Sequence, residues 1–260
     1  MLELNKIYNM DCVEGMKLLD SESIDLTVTS PPYDDLRTYN GYSFDFENVA
    51  KELHRITKDG GVVVWVVSDK TNNGGKSLTS YRQALYFQEI GFKIYDVIIY
   101  KKSSPSPPHK NRYFNSFEYM FILSKGKPKS INLLKDRKNR CAGTSSGVLT
   151  RRENDGTLTT KKAIYIDEFG IRTNIWEYAV GNNKSSKDKI AFKHPAIFPE
   201  KLAEDHILSW SNEGDIIFDP FIGSGTTAKM AKLNNRDYIG FEISKEYCDI
   251  AEERLSTFAI

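Results

Sequence analysis

One short run constrains the fold more than anything else in this chain of 260 residues. Asp215-Ile216-Ile217-Phe218-Asp219-Pro220-Phe221-Ile222-Gly223-Ser224-Gly225-Thr226-Thr227-Ala228 reads as a strand, a glycine turn and the start of a helix, with Gly223, Gly225 and Ala228 in the places of G-x-G-x-x-A. In a nucleotide-binding βαβ unit the first glycine permits the tight turn, the second lets a ligand approach the backbone, and the third small residue lets the helix pack on the strand. The next apolar run, Tyr238–Phe241, leads into Glu242, 19 positions after Gly223, where a carboxylate can accept hydrogen bonds from both ribose hydroxyls. Thr226 and Thr227 stand where a Walker loop requires Lys followed by Ser or Thr, which excludes that phosphate loop. Only about 35 residues follow the turn, whereas a nicotinamide-binding domain needs several further βα units downstream. The rest of the sheet is therefore expected from residues before the turn, in a permuted order.

Those earlier residues have the right pattern. Apolar runs at Ile24–Thr29, Val62–Val67, Val97–Tyr100, Tyr119–Leu123, Ile216–Phe218 and Tyr238–Phe241 read as buried strands. Between several of them, Val13–Leu19, Phe46–Ile56, Tyr81–Ile90, Pro199–Trp210, Thr226–Leu233 and Lys245–Leu255 have apolar positions near helical spacing. The alternation predicts an α/β fold with a mostly parallel central sheet flanked by helices. Asp34–Tyr42, Asp69–Ser80 and Ser103–Arg112 read as loops. The segment from about Gly126 to Phe192 is too long for a structureless connection and reads as an inserted subdomain. The expected organisation is residues 1–125 and 193–260 as one catalytic domain in two parts, with 126–192 as the insert.

Charge supports that division. The net charge is only +1, but Lys125–Lys162 holds 11 Lys or Arg against 3 Asp or Glu, so the remainder is −7. A mildly acidic body carrying one basic insert fits a polyanionic partner. No stretch approaches 18 uninterrupted apolar residues and the N-terminal residues do not read as a secretion signal. Cys12, Cys141 and Cys248 are odd in number and lack C-x-x-C spacing, which points away from disulfides and zinc. The expectation is a cytoplasmic protein without a membrane segment and without a metal.

The strand Ile24–Thr29 runs directly into Ser30-Pro31-Pro32-Tyr33. Two prolines fix φ and remove two N–H donors, leaving free carbonyls in a stiff turn at a strand end, where α/β sheets place ligands. Such acceptors suit a ligand amino group, and Tyr33 offers a flat face for a planar base.

With both turns in place the chain resembles the permuted group of S-adenosylmethionine-dependent DNA amino-methyltransferases, which modify cytosine N4 or adenine N6. The resemblance covers nearly the whole chain and implies a Rossmann-like methyltransferase fold with a target-recognition insert. It assigns Ser30, Pro31, Pro32 and Tyr33 to the catalytic motif. Asp219, Phe221, Gly223, Ser224, Gly225, Thr226 and Thr227 match its cofactor loop, and Glu242 its ribose-binding acid. Asp11, followed by Cys12, matches its adenine-contacting acid, and His194-Pro195-Ala196-Ile197-Phe198-Pro199 its motif near the methionine part of the cofactor, giving Phe198 and Pro199 as further contacts.

By that resemblance, a base flipped out of double-stranded DNA would stack on Tyr33 while Ser30 and Pro31 accept hydrogen bonds from its amino group. Lys135, Arg137, Lys138, Arg140, Arg151 and Arg152 of the insert, with His109, Lys110 and Arg112, are the DNA-contact candidates. Arg37, Tyr39 and Tyr42 follow the catalytic turn, where they could close over the base or fill its gap. None of the cysteines follows a proline, which argues against cytosine-C5 chemistry. Ser-Pro-Pro-Tyr leans toward cytosine N4, with adenine N6 as the alternative and a non-catalytic recognition module as a second class. A cognate restriction endonuclease and a homodimer are further partners open to a member of this group. Trp65, Trp176 and Trp210 are expected in the core, and His54 and His206 on the surface or between helices.

Overall fold

The computed structural model describes residues 2–32, 44–106, 110–181 and 184–257. Tyr33, Arg37, Tyr39, Tyr42 and His109 lie outside the described residues. The chain divides into a larger unit, Met1–Asn132 with Asn174–Ile260, and a smaller one, Leu133–Thr173. The larger unit begins with β1 (Lys6–Asn9), α1 (Cys12–Lys17), β2 (Ile24–Thr29), α2 (Phe46–Ile56) and β3 (Thr57–Val67). It continues with the short β4 (Thr71–Asn72) and β5 (Gly75–Lys76), then α3 (Thr79–Glu89), β6 (Lys93–Ser106) and β7 (Asn115–Ser124). The smaller unit holds β8 (Arg137–Lys138), β9 (Leu149–Arg152), β10 (Leu158–Lys161) and β11 (Phe169–Gly170). The larger unit resumes with β12 (Ile175–Tyr178), α4 (Glu200–Trp210), β13 (Ile216–Asp219), α5 (Thr226–Leu233), β14 (Asp237–Glu242) and α6 (Lys245–Ser256).

Eight strands form one sheet in the order β1-β14-β13-β2-β3-β7-β6-β12. All neighbours are parallel except at β7, which runs against both β3 and β6. Val62 to Val67 are buried at every position, with Val63, Trp65 and Val67 in the main apolar cluster, as expected of a strand covered on both faces. Val49, Ala50, Leu53 and Ile56 give α2 its apolar stripe in that cluster, together with Met16 of α1 and Phe87 of α3. On the other side α5 packs against α4 and α6.

The topology explains the location of the site. From β2 the chain moves through α2 to β3 on one side; from β13 it moves through α5 to β14 on the other. The β2/β13 boundary is therefore the switch point of the sheet, where a crevice opens at the carboxyl ends of the strands. Both sequence-marked turns leave from those two ends.

Two sheet strands, β1 and β12, escape the sequence reading because they are four residues long and only partly buried. Asp69–Ser80 contains the β4–β5 hairpin, and β6 extends into the expected loop as far as Ser106. The compact insert is also shorter than 126–192. Asn132 bonds to the Ser209 carbonyl at 2.8 Å, and β12 pairs in parallel with β6, so both flanks are sewn into the larger unit. In the smaller unit β9 pairs antiparallel with β10 and β8 with β11. Among its described residues no apolar side chain is buried.

Candidate active site

Pairing of β2 with β13, through Leu26 opposite Ile217 and Thr27 opposite Phe218, brings Thr29 beside Asp219. Thr29 Oγ1 donates to Asp219 Oδ1 at 2.6 Å, and the Phe221 N–H donates to the same oxygen at 3.0 Å. Thr227 Oγ1 lies 2.8 Å from Asp219 Oδ2 and 3.1 Å from the Val28 carbonyl. Burial pushes the Asp219 carboxyl up to about 7 against these bonds, and the Glu242 carboxylate adds to the rise. A protonated Asp219 satisfies the cluster fully: its O–H donates to Thr227, whose single proton is then free for Val28. One buried carboxyl thus ties the end of the catalytic strand to the cofactor loop.

The loop turns through Gly223 and Gly225 with φ of +51° and +78°, conformations that favour glycine. A Cβ on Gly223 would meet the His194 ring at 3.0 Å; one on Gly225 would meet the Ala251 Cβ at 3.0 Å. The second glycine therefore makes room for α6, rather than for the ligand expected there. Gly223 N–H donates to Glu242 Oε2 at 3.0 Å and Ser244 N–H to Oε1 at 2.9 Å, so the 19-residue spacing closes into a direct contact. Burial raises the Glu242 carboxyl, while backbone donors at Ser244, Gly223 and Ile243 oppose the rise.

These elements face a cavity of about 1670 Å³, larger than a typical single-ligand pocket and roomy enough for a nucleoside cofactor beside a base. Of the sequence candidates, Ser30, Pro31, Pro32, Asp11, Cys12, Phe198, Phe221, Gly223, Ser224, Thr226 and Glu242 line it. Pro199, Asp219, Gly225 and Thr227 do not: Pro199 starts α4, and the other three hold the loop from behind. Asp11 Oδ1 caps α1 by accepting from Val13 N–H at 2.9 Å and Glu14 N–H at 3.1 Å. Burial, with the Asp11 charge, pushes the Cys12 thiol up to about 12, leaving it an unreactive neutral group. The cavity wall also includes Asp69, Lys102, Glu118 and Tyr119, which the sequence reading did not single out.

A second unforeseen feature lies behind the loop. Arg254 of α6 has a fully buried side chain, and Lys229 of α5 is nearly so. Arg254 donates to Asp188 at 2.7 Å, to the Ser224 carbonyl at 2.9 Å and to Thr226 Oγ1 at 3.0 Å, and pairs with Glu200. Lys229 reaches the same two carboxylates at 2.8 Å each. Two cations and two anions therefore clamp α4, α5, α6 and the cofactor loop together.

Among the DNA-contact candidates Lys110 and Arg112 are exposed near the end of the β6–β7 connection, and Arg112 lines the cavity. Lys135, Arg137, Lys138, Arg140, Arg151 and Arg152 are exposed on the smaller unit, where Arg137 also donates to the Ile171 carbonyl at 3.0 Å. Trp65, Trp176 and Trp210 are buried as expected. His206 is fully buried, stacked on Trp176 at 4.7 Å, and His54 packs edge-on against Phe92 at 5.0 Å.

Comparison with known proteins agrees with this arrangement. The family model described as DNA methylase (N6_N4_Mtase) matches residues 24–253. The chain is 65% identical over 240 residues to the orphan methyltransferase M.BamHII of Bacillus amyloliquefaciens, covering 92% of this chain and 91% of that protein. It is 30% identical over 272 residues to the type II methyltransferase M.BglII of Bacillus subtilis, covering 97% and 69%. The solved structure of the cytosine-N4-specific PvuII DNA methyltransferase superposes with a TM-score of 0.70 at 22% identity, covering 98% of this chain and 86% of that one. The sheet with its single reversed strand is thus a Rossmann-like methyltransferase fold. The chain belongs to the DNA methylase family of N4-cytosine and N6-adenine amino-methyltransferases, which use S-adenosylmethionine.

Proposed function

We propose that this DNA amino-methyltransferase modifies the N4 atom of cytosine in duplex DNA, at a site formed by the Ser30 turn and the Gly223 loop. The observation that carries the placement is their junction: Thr29 and Asp219 are joined at 2.6 Å across adjacent parallel strands, and the turns that follow line one cavity. The donor set fits S-adenosylmethionine. Glu242 and Asp11 offer carboxylate oxygens for ribose hydroxyls and the adenine amine, Phe198 and Phe221 offer apolar surface, and the loop backbone lies close by. When bound, the cofactor supplies an electrophilic methyl group on a sulfonium.

The chain's own task is alignment. The Ser30 hydroxyl and the Pro31 carbonyl accept hydrogen bonds from the exocyclic amine, fixing its hydrogens and directing the nitrogen lone pair out of the base plane. As nitrogen gains the methyl group it becomes positive, and the same two acceptors stabilise that charge before a proton leaves to solvent. The neutral Ser30, in the Ser-Pro-Pro turn common to cytosine-N4 members of the family, favours cytosine. The insert's exposed Lys and Arg side chains, among them Lys135, Lys138, Arg140, Arg151 and Arg152, serve as phosphate and base contacts on the target duplex. The orphan description of the 65% identical relative favours action without a cognate endonuclease. A homodimer rests on family resemblance alone.

The test is nucleoside mass spectrometry of unmethylated duplex DNA incubated with the protein and isotopically labelled S-adenosylmethionine. N4-methylcytosine is the expected product. N6-methyladenine would keep the enzyme class and overturn the target base; absence of any labelled base would overturn DNA methylation by this chain.

A further inference from the structure

Tyr113 is 100% exposed and its neighbour Phe114 57% exposed, two consecutive large aromatic rings left in water. They belong to the connection between β6 and β7, and both line the cavity that Ser30 and Pro31 line. A residue that lines a cavity while being fully exposed stands at its rim. Two adjacent rings at a rim are unlike the scattered single apolar residues of an ordinary surface.

The surroundings indicate what such rings meet. Lys110 and Arg112 are exposed immediately before them, and the sequence has no Asp or Glu between Asp96 and Glu118. Arg112 donates to the Gly74 carbonyl in the β4–β5 hairpin, which brings the Lys76 end of that hairpin to the same rim. The cavity wall carries two carboxylates there, Asp69 and Glu118, against the cations Lys70, Lys76, Lys102 and Arg112. Asp69 accepts from Ser80 N–H at 2.9 Å and Ser80 Oγ at 2.8 Å, and Glu118 pairs with Lys102 at 2.5 Å. The local field is therefore positive and suits a polyanion.

The strands behind the tip are anchored in the sheet. β7 pairs with β3 from Tyr119 to Ser124 and with β6 from Phe117 to Ser124, and the ladder to β6 resumes at Asn115 opposite Ser106 after an irregularity. Phe117, Tyr119 and Phe121 recur at every second position on one face of it, with centroid separations of 5.3 Å and 5.6 Å. Tyr81 braces this row through a 2.5 Å contact between its hydroxyl and that of Tyr119. Exposed apolar side chains inserted between base steps, next to cations, are a means by which proteins part stacked base pairs.

We propose that the tip of the β6–β7 hairpin, Lys110–Asn115, enters the target duplex, with Tyr113 and Phe114 occupying the space left by the flipped base while Lys110 and Arg112 hold the flanking phosphates. This rests on the DNA-methylation reading above. The rings replace the stacking that the neighbouring base pairs lose when the target leaves the helix. They therefore stabilise the flipped state and take no part in methyl transfer.

The test compares kcat/KM of the wild type and the Tyr113→Ala/Phe114→Ala double variant on two oligonucleotide duplexes carrying the sequence the wild type methylates in plasmid DNA. One has the normal partner opposite the target base and the other an abasic site there, so that pairing no longer opposes flipping. On the paired duplex the double variant should lose about 5–150-fold, the range expected for one base–aromatic stack. On the abasic duplex most of that loss should disappear. Tyr113→Trp should retain activity, and binding of S-adenosylmethionine should be unchanged throughout. Equal loss on both duplexes, or no loss on either, overturns the wedge while leaving the methyltransferase reading intact. A wild type that methylates no DNA overturns both.

Discussion

Asp219 is the residue at which the two halves of the site meet. Its carboxyl is raised to about 7 in the folded protein, against about 4 for an ordinary carboxyl. Between those values the folded state holds a proton that the unfolded chain has released. Stability therefore falls as pH rises through that window and stays at its lower level above it. Asparagine has the same shape, can donate to Thr227 and can still accept from Thr29 and Phe221. Asp219→Asn should raise the thermal midpoint over that of the wild type by a margin that grows from pH 5 to pH 7 and levels off above it; parallel curves from pH 5 to 9 would contradict the assignment. Ser30 stands at the other half of the site, and Ser30→Ala should lower kcat by about 10–100-fold, the worth of one hydrogen bond to a charged group, with little change in cofactor affinity, measured by methyl-transfer kinetics and calorimetry. The sequence located the motif residues around this junction because glycine and proline patterns record backbone requirements. It could not reveal that Asp219 and Thr227 act from behind the loop, since that depends on which strand lies beside β13.

At the scale of elements, the clamp on Arg254 illustrates what periodicity conceals. Glu200, Lys229 and Arg254 sit on three helices that the sequence marks only by their apolar positions, yet Arg254 is fully buried. Arg254→Met should destabilise the protein by about 1.5–3 kcal/mol in urea unfolding, because Asp188 and Glu200 would lose one of their two shared cations while Lys229 stays in place. The same variant should bind S-adenosylmethionine less tightly, since the Ser224 carbonyl and Thr226 hydroxyl lose their donor. The strands rich in Val and Ile and the helices with clear apolar stripes were legible; α2 was read to the residue. The edge strands β1 and β12 were not, because a short strand with one covered face lacks a continuous apolar run. His206 was likewise underestimated: a histidine in a helical pattern gives no sign that Trp176 and Met120 enclose it.

At the scale of the whole molecule, the permuted order was legible from the position of the glycine turn, but the extent of the insert was not. Composition singled out the basic stretch Lys125–Lys162, and hydrogen bonds at Asn132 and along β12 tie both ends of the 126–192 segment to the sheet. What is left, Leu133–Thr173, buries no apolar side chain among its described residues and exposes every residue of β9 and β10. If Arg151 and Arg152 each neutralise one phosphate, Arg151→Ala/Arg152→Ala should make the slope of log affinity against log salt shallower by about 1.8. Titration of DNA binding from low to moderate salt measures this, and cofactor binding should not change. The strand order has a further consequence, for the birth of the protein. β1 and β2 leave the ribosome early, but the two strands that belong between them come much later; Thr29 waits 190 residues for Asp219. Until then the nascent chain carries two unsatisfied strand edges facing a gap two strands wide. The protein can close its sheet only when synthesis reaches β13 and β14, so a chain interrupted before them would present adhesive edges rather than a smaller working enzyme.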